Sequence, residues 1–179
     1  MMDGVNSRRG GAERQLAQRA LMSSVGVFVL TSIHHGYGAY LYRTPWRLHA
    51  AIVSGGATML MAGLLMLFRS RHMGTVARWC FVILGLLVPF VAFGIFEGGY
   101  NHTVKDVLYF SNASPQLIRR LFPPGLYELP NDMFFEVTGV LQIIPGVLTG
   151  YYLFELARNI RNAHSNSAEK SLSVLSPRS

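Results

Sequence analysis

Four stretches of this chain contain no Lys, Arg, Asp or Glu: residues 20–42, 50–68, 79–96 and 137–154. They are 23, 19, 18 and 18 residues long. A helix rises about 1.5 Å per residue, so about 20 residues cross a hydrocarbon core about 30 Å thick. Inside lipid the backbone must satisfy its own hydrogen bonds, which makes each stretch a helix. The expected fold is all-α: an integral membrane bundle of four transmembrane helices. Charged residues make up 14% of the 179 residues, against about 25% in ordinary soluble domains, which argues against a soluble or disordered chain.

The predicted helices cover about 20–42, 49–68, 76–97 and 133–157. They belong to a transmembrane domain at 16–162, between a flexible tail at 1–15 and a disordered, Ser- and Asn-rich tail at 163–179. A secretory signal peptide is the rival reading of the first run, with Arg8, Arg9, Arg14 and Arg19 ahead of it. Tyr37-Gly38-Ala39 is a poor cleavage site because Tyr40, Leu41 and Tyr42 follow directly, so an uncleaved helix is preferred.

The net charge of +7 raises the question of nucleic acid. Its distribution answers otherwise. With the N-terminus inside, the inner segments carry eleven basic residues against four acids, and the outer segments five against five. The excess lies on one face, as the positive-inside rule expects. The basic residues report topology and attraction to anionic headgroups, and no nucleic-acid partner is expected. The arginine-rich, lysine-poor composition reads as bacterial. The expected location is the bacterial inner membrane, multi-pass, with both termini cytoplasmic.

The long outer loop at 98–132 is the unusual segment, because loops of this length are often functional. Ser114 and Pro115 predict a short interfacial helix with Leu117, Ile118, Leu121 and Phe122 on its apolar side, ended by Pro123-Pro124-Gly125. Pro89 and Pro145 predict kinks in helices three and four. Gly146 and Gly150 form one G-x-x-x-G, a weak dimer signal. Cys80, the single cysteine, excludes an internal disulfide and, beside Trp79 and Phe81, is expected to be a buried apolar thiol.

Topology gathers titratable residues at the outer face: His34, His35, His49, Glu97, His102, Glu128, Asp132 and Glu136. Imidazole and carboxylate are good ligands for zinc, iron or copper. The candidate metal set is His34, His35, His102, Glu97, Asp132 and Glu136. A transition metal fits these donors, as does haem held between one of His34 or His35 and one of His49 or His102. No H-E-x-x-H, H-x-x-x-H or cysteine pair sharpens the choice. Blander roles compete. His34 and His35 point about 100° apart on a helix, so one of them suits a bond to a neighbouring carbonyl. Asp132 suits an N-cap, Glu128 an ion pair with Arg119 or Arg120, and His49 the interface.

The leading functional expectation is a small membrane protein with an outer-facing His/carboxylate cluster that binds a metal or haem. The alternatives are a non-catalytic subunit or assembly factor of a membrane complex, and an oligomeric carrier or channel. Expected partners are the bilayer and either another membrane protein or a second copy. No phosphate-cradling G-x-x-x-x-G-K motif supports an ATP-driven role.

Overall fold

Residues 2–70 and 73–175 are described by the computed structural model. Arg71, His72 and Arg178 lie outside the described residues, as do the side chains of Asp3, Arg8, Arg9, Arg69, His164, Glu169 and Lys170. Four helical stretches are long and apolar enough to cross a membrane: Gly10–Leu41, Pro45–Met66, Gly74–Phe110 and Met133–Ala163.

The first helix, α1 (Met2–Leu41), is helical well before the predicted start near residue 20. The reason is packing: Ala17 and Ala20 are fully buried, and the buried Glu13 carboxylate lies 3.1 Å from Arg78 Nε on the third span. A 3-10 turn, Pro45–Arg47, then leads into α2 (Leu48–Met66). Arg43 takes a positive φ of 54° to reverse the chain between them.

The third span starts as α3 (Gly74–Gly85) and widens into π-type helix over Leu86–Val104, before α4 (Lys105–Phe110) resumes the ordinary pitch. Such winding is rare, occurs mostly as single turns, and is frequent at functional sites. The wide segment runs through Pro89, which has no N–H to donate. It also runs straight through Glu97, Gly98 and Gly99. The predicted end at 97 is therefore corrected: His102 stands on the helix, and the connecting loop begins only after Phe110. Gly98 allows this, because a Cβ there would lie 3.0 Å from the Ile143 backbone nitrogen and 3.2 Å from the Gly139 carbonyl oxygen.

The short α5 (Pro115–Leu121) is capped by the Ser114 side chain on Leu117 N–H, as its sequence predicts. Gly125, at φ 89°, turns the chain after Pro123-Pro124. The fourth span has two parts, α6 (Met133–Leu141) and α7 (Ile143–Leu175). Pro145 explains the break at Gln142, since its ring removes a donor and crowds the carbonyl four residues back. Helix continues beyond the predicted end near 157, and Ile160 is still buried.

α1 packs on α2 and on α7, and the third span packs on the same two neighbours, so the spans stand in the cyclic order α1, α2, third, fourth. The third and fourth cross where Gly94 meets Gly146: a Cβ on Gly146 would lie 2.5 Å from the Gly94 Cα. Gly150 faces Phe90 in the same way. The G-x-x-x-G is thus spent inside the chain. Cys80 is exposed, contrary to expectation. Its bulky sequence neighbours point elsewhere on the helix, so they could not bury it.

One end of the molecule holds an apolar core built from Met61, Phe68, Phe81, Val82, Leu153 and Leu156. The other end collects the C-terminus of α1, the N-terminus of α2, the wide helix and α6.

Candidate metal centre

α1 delivers His34, the wide helix delivers Glu97 and His102, and α6 delivers Glu136 to one buried spot. His34 is fully buried and His102 is 3% exposed. Their Nε2 atoms are 3.1 Å apart. Glu97 Oε1 lies 3.6 Å from each of them. These three residues form a group whose donor atoms all fall within 4.8 Å of one another.

The outer hydrogen bonds decide where the protons sit. His34 Nδ1 donates to the Phe135 carbonyl at 3.0 Å, and a carbonyl can only accept. Thr138 Oγ1 is 3.2 Å from the same nitrogen. His102 Nδ1 is 2.6 Å from Glu136 Oε2, while Lys105 Nζ donates to Glu136 Oε1 at 3.1 Å and to the Glu128 carbonyl at 3.0 Å. Lys105 holds Glu136 as a carboxylate, so His102 Nδ1 is the donor. In the neutral imidazoles both Nε2 atoms are therefore lone-pair acceptors. They face each other and a third acceptor, Glu97 Oε1. Three acceptors in that arrangement repel unless a metal cation, or a proton on one Nε2, stands between them.

The remaining Glu97 oxygen, Oε2, accepts from Asn101 Nδ2 at 2.6 Å. That bond requires helix to continue from 97 to 101. Phe135 stacks on the His34 ring at 4.1 Å between centroids and meets His102 edge-on at 5.3 Å. Gly139 is the floor under His102, because a Cβ there would sit 2.4 Å from the imidazole.

His35 comes to the same carboxylate from the other side, with Nε2 3.5 Å from Glu97 Oε1. The two adjacent histidines thus share Glu97, which sits in the notch between their T-shaped rings. The 100° between neighbours on a helix prevents parallel rings without preventing a shared partner. His35 is buried, yet neither ring nitrogen has a hydrogen-bond partner.

The six candidate residues are therefore placed unequally. His34, His102 and Glu97 converge, His35 borders them, and Glu136 touches His102 from behind. Asp132 stands apart: it caps α6 by accepting from Phe135 N–H at 2.9 Å and receives the Tyr37 hydroxyl at 3.0 Å. Glu128 pairs with Arg47 at 3.3 Å, in place of the expected Arg119 or Arg120. The rim is reached before the surface arginines because Arg47 is itself buried and stacked between Tyr42, Trp46 and Phe135. His49 is at the exposed rim, bonded to the Trp46 carbonyl. Tyr42 donates to Asn131 at 2.7 Å. Burial, followed by the carboxylates of Glu136, Glu128 and Asp132, pushes its phenol up to about 12, so it remains a neutral donor.

Sequence reasoning missed Arg47 as a buried residue and gave Lys105 no place beside the histidines. Lys105 is 2% exposed, and its spacing of three residues from His102 was the available signal. The chain matches no protein-family model, no curated protein and no solved structure.

Proposed function

We propose that this is a four-span membrane protein whose His34, Glu97 and His102 bind one divalent transition-metal ion. The carrying observation is the 3.1 Å separation of two imidazole nitrogens whose partners on the far side of each ring leave both as acceptors. At metal–nitrogen distances of about 2.0–2.1 Å, the donors of a tetrahedral site stand about 3.3–3.4 Å apart. The separations here are 3.1, 3.6 and 3.6 Å. Glu136 on His102 and the Phe135 carbonyl on His34 hold the far nitrogen of each ring, as partners that orient metal-ligating imidazoles do.

Two imidazoles and one carboxylate suit zinc or ferrous iron and leave one or more positions open for water or another ligand. An ion of this size is favoured over haem. Two imidazoles across a haem iron need nitrogens about 4 Å apart on opposite sides of a macrocycle. Here they are closer, and Phe135 covers one ring. The bacterial inner membrane, with the cluster at the extracytoplasmic end and both termini inside, remains the orientation that the charge asymmetry supports.

Elemental analysis of the detergent-purified protein, untagged and loaded with Zn²⁺ or Fe²⁺, tests the reading. The expected result is about one ion per chain, with affinity reduced more than about 100-fold by Glu97→Gln, since a ligand loss should exceed the 10- to 100-fold typical of a second-shell loss. A folded protein that holds no metal above background would overturn it.

A further inference from the structure

A cavity of about 410 Å³ lies between α2 and the wide helix, directly beside the cluster, with His35, Glu97 and His102 on its wall. Its apolar sides come from Ala50 and Val53 on α2 and from Ala92 and Phe96 on the wide helix. Val53 and Phe96 are 50% and 49% exposed, and both stand on membrane-spanning stretches. The cavity therefore opens sideways, toward the hydrocarbon. At its polar end the charges are already matched: Arg47 is paired with Glu128, and Lys105 with Glu136. No free cation remains there among the described residues to attract an ionic headgroup, and Glu97 disfavours an anion. What remain unsatisfied are the Asn101 Oδ1 acceptor and His35, buried with no hydrogen bond to either ring nitrogen and only the 3.5 Å contact of Nε2 with Glu97. A neutral imidazole offers one donor and one acceptor.

We infer that this cavity binds a membrane-dissolved amphipathic molecule with an uncharged hydroxyl-type head, an aliphatic alcohol or phenol, hydrogen-bonded by His35 and with its apolar body between α2 and the wide helix. A hydroxyl can donate to an imidazole acceptor nitrogen or accept from an imidazole N–H, so it suits His35 in either tautomer. The lateral mouth admits a molecule from the bilayer without passage through water. This deepens the metal reading, since the head would lie next to the open coordination position, although the cavity and His35 are present independently of any ion.

The test is photolabelling of the full chain in lipid nanodiscs with a diazirine-bearing hexadecanol, alongside the matched diazirine alkane without the hydroxyl. Labelled sites are mapped by mass spectrometry, and metal content is measured on the same samples. The alcohol should label the facing surfaces of α2 and the wide helix, and the alkane should show no enrichment there. Filling the cavity with Ala92→Phe should cut that labelling about tenfold, and His35→Phe should bring the alcohol down to the alkane level. If Ala92→Phe does not fold, Val53→Phe gives the same readout. Equal labelling by alcohol and alkane, or labelling untouched by the filling variants, would overturn the inference. Metal binding without alcohol enrichment removes only the ligand assignment. Alcohol enrichment without metal removes only the metal centre.

Discussion

The two ends of the molecule are built on different principles. At the Met61–Phe81–Leu153 end, apolar side chains fill space, and the Glu13–Arg78 pair with the Phe68 carbonyl is its main polar fixture. At the His34–His102 end, the helices are held by directional contacts among an imidazole pair, three carboxylates and two buried cations. The first end should accept apolar residues of similar volume at a cost usually below about 1.5 kcal/mol. At the second, removing one member of a buried ion pair leaves its partner a charge without compensation, and the cost is largest where the group left behind is charged. Burial of that many titratable groups is poor economy for stability alone, since a well-packed apolar core would serve as well or better. The contrast is what favours the polar end as the proposed site.

The comparison is broken most severely at Lys105. Lys105→Met leaves the Glu136 carboxylate without its cation, and breaking a buried pair costs about 3–5 kcal/mol. Thermal unfolding in detergent should show this as a large drop in stability, accompanied by weakened metal binding. A small change in both would mean that Glu136 is already neutral.

Leu153→Ala is the counterpart at the apolar end. Leu153 is fully buried and should cost about 2–5 kcal/mol through lost contacts and a cavity. Metal content per folded chain should not change, and coupled loss of metal would show that the two ends are not separable.

Asn101→Ala sharpens the polar end without unpairing a charge. It removes the donor that orients Glu97, so metal affinity should fall about 10- to 100-fold while stability changes little. Equal affinity in a chelator competition would remove Asn101 from the site.

The smallest effect is expected at Asp132. Asp132→Ala removes the cap of α6 and should cost about 1 kcal/mol, with metal affinity within error of the parent. A large loss of metal would restore Asp132 to the ligand set.

Much of this was legible in the sequence. Four uncharged runs require four apolar helices, because lipid leaves the backbone no other partner. Ser114 and Asp132 cap the helices they precede. Glu97 and Asn101 are four residues apart, a spacing that brings them together once the helix continues. Other features were not legible. Gly98-Gly99 reads as a helix end, yet the backbone continues, and the fourth span packs against Gly98 closely enough to need glycine at that position. His34 and His35 read as divergent, yet a carboxylate from another helix fits between them. Cys80 reads as buried from its neighbours along the chain, which on a helix are not its neighbours in space.

By itself, the sequence determined which segments are long and apolar enough to cross a membrane, that they are helical, and which helix ends carry imidazoles and carboxylates. These follow from hydropathy and hydrogen-bond necessity, which act locally. Tertiary structure alone decided that His34, Glu97 and His102 meet while Asp132 stays apart, that Lys105 is buried behind them, and that a cavity opens beside His35. These depend on helix rotation and pitch, where a wide turn or one missing Cβ redirects every side chain that follows.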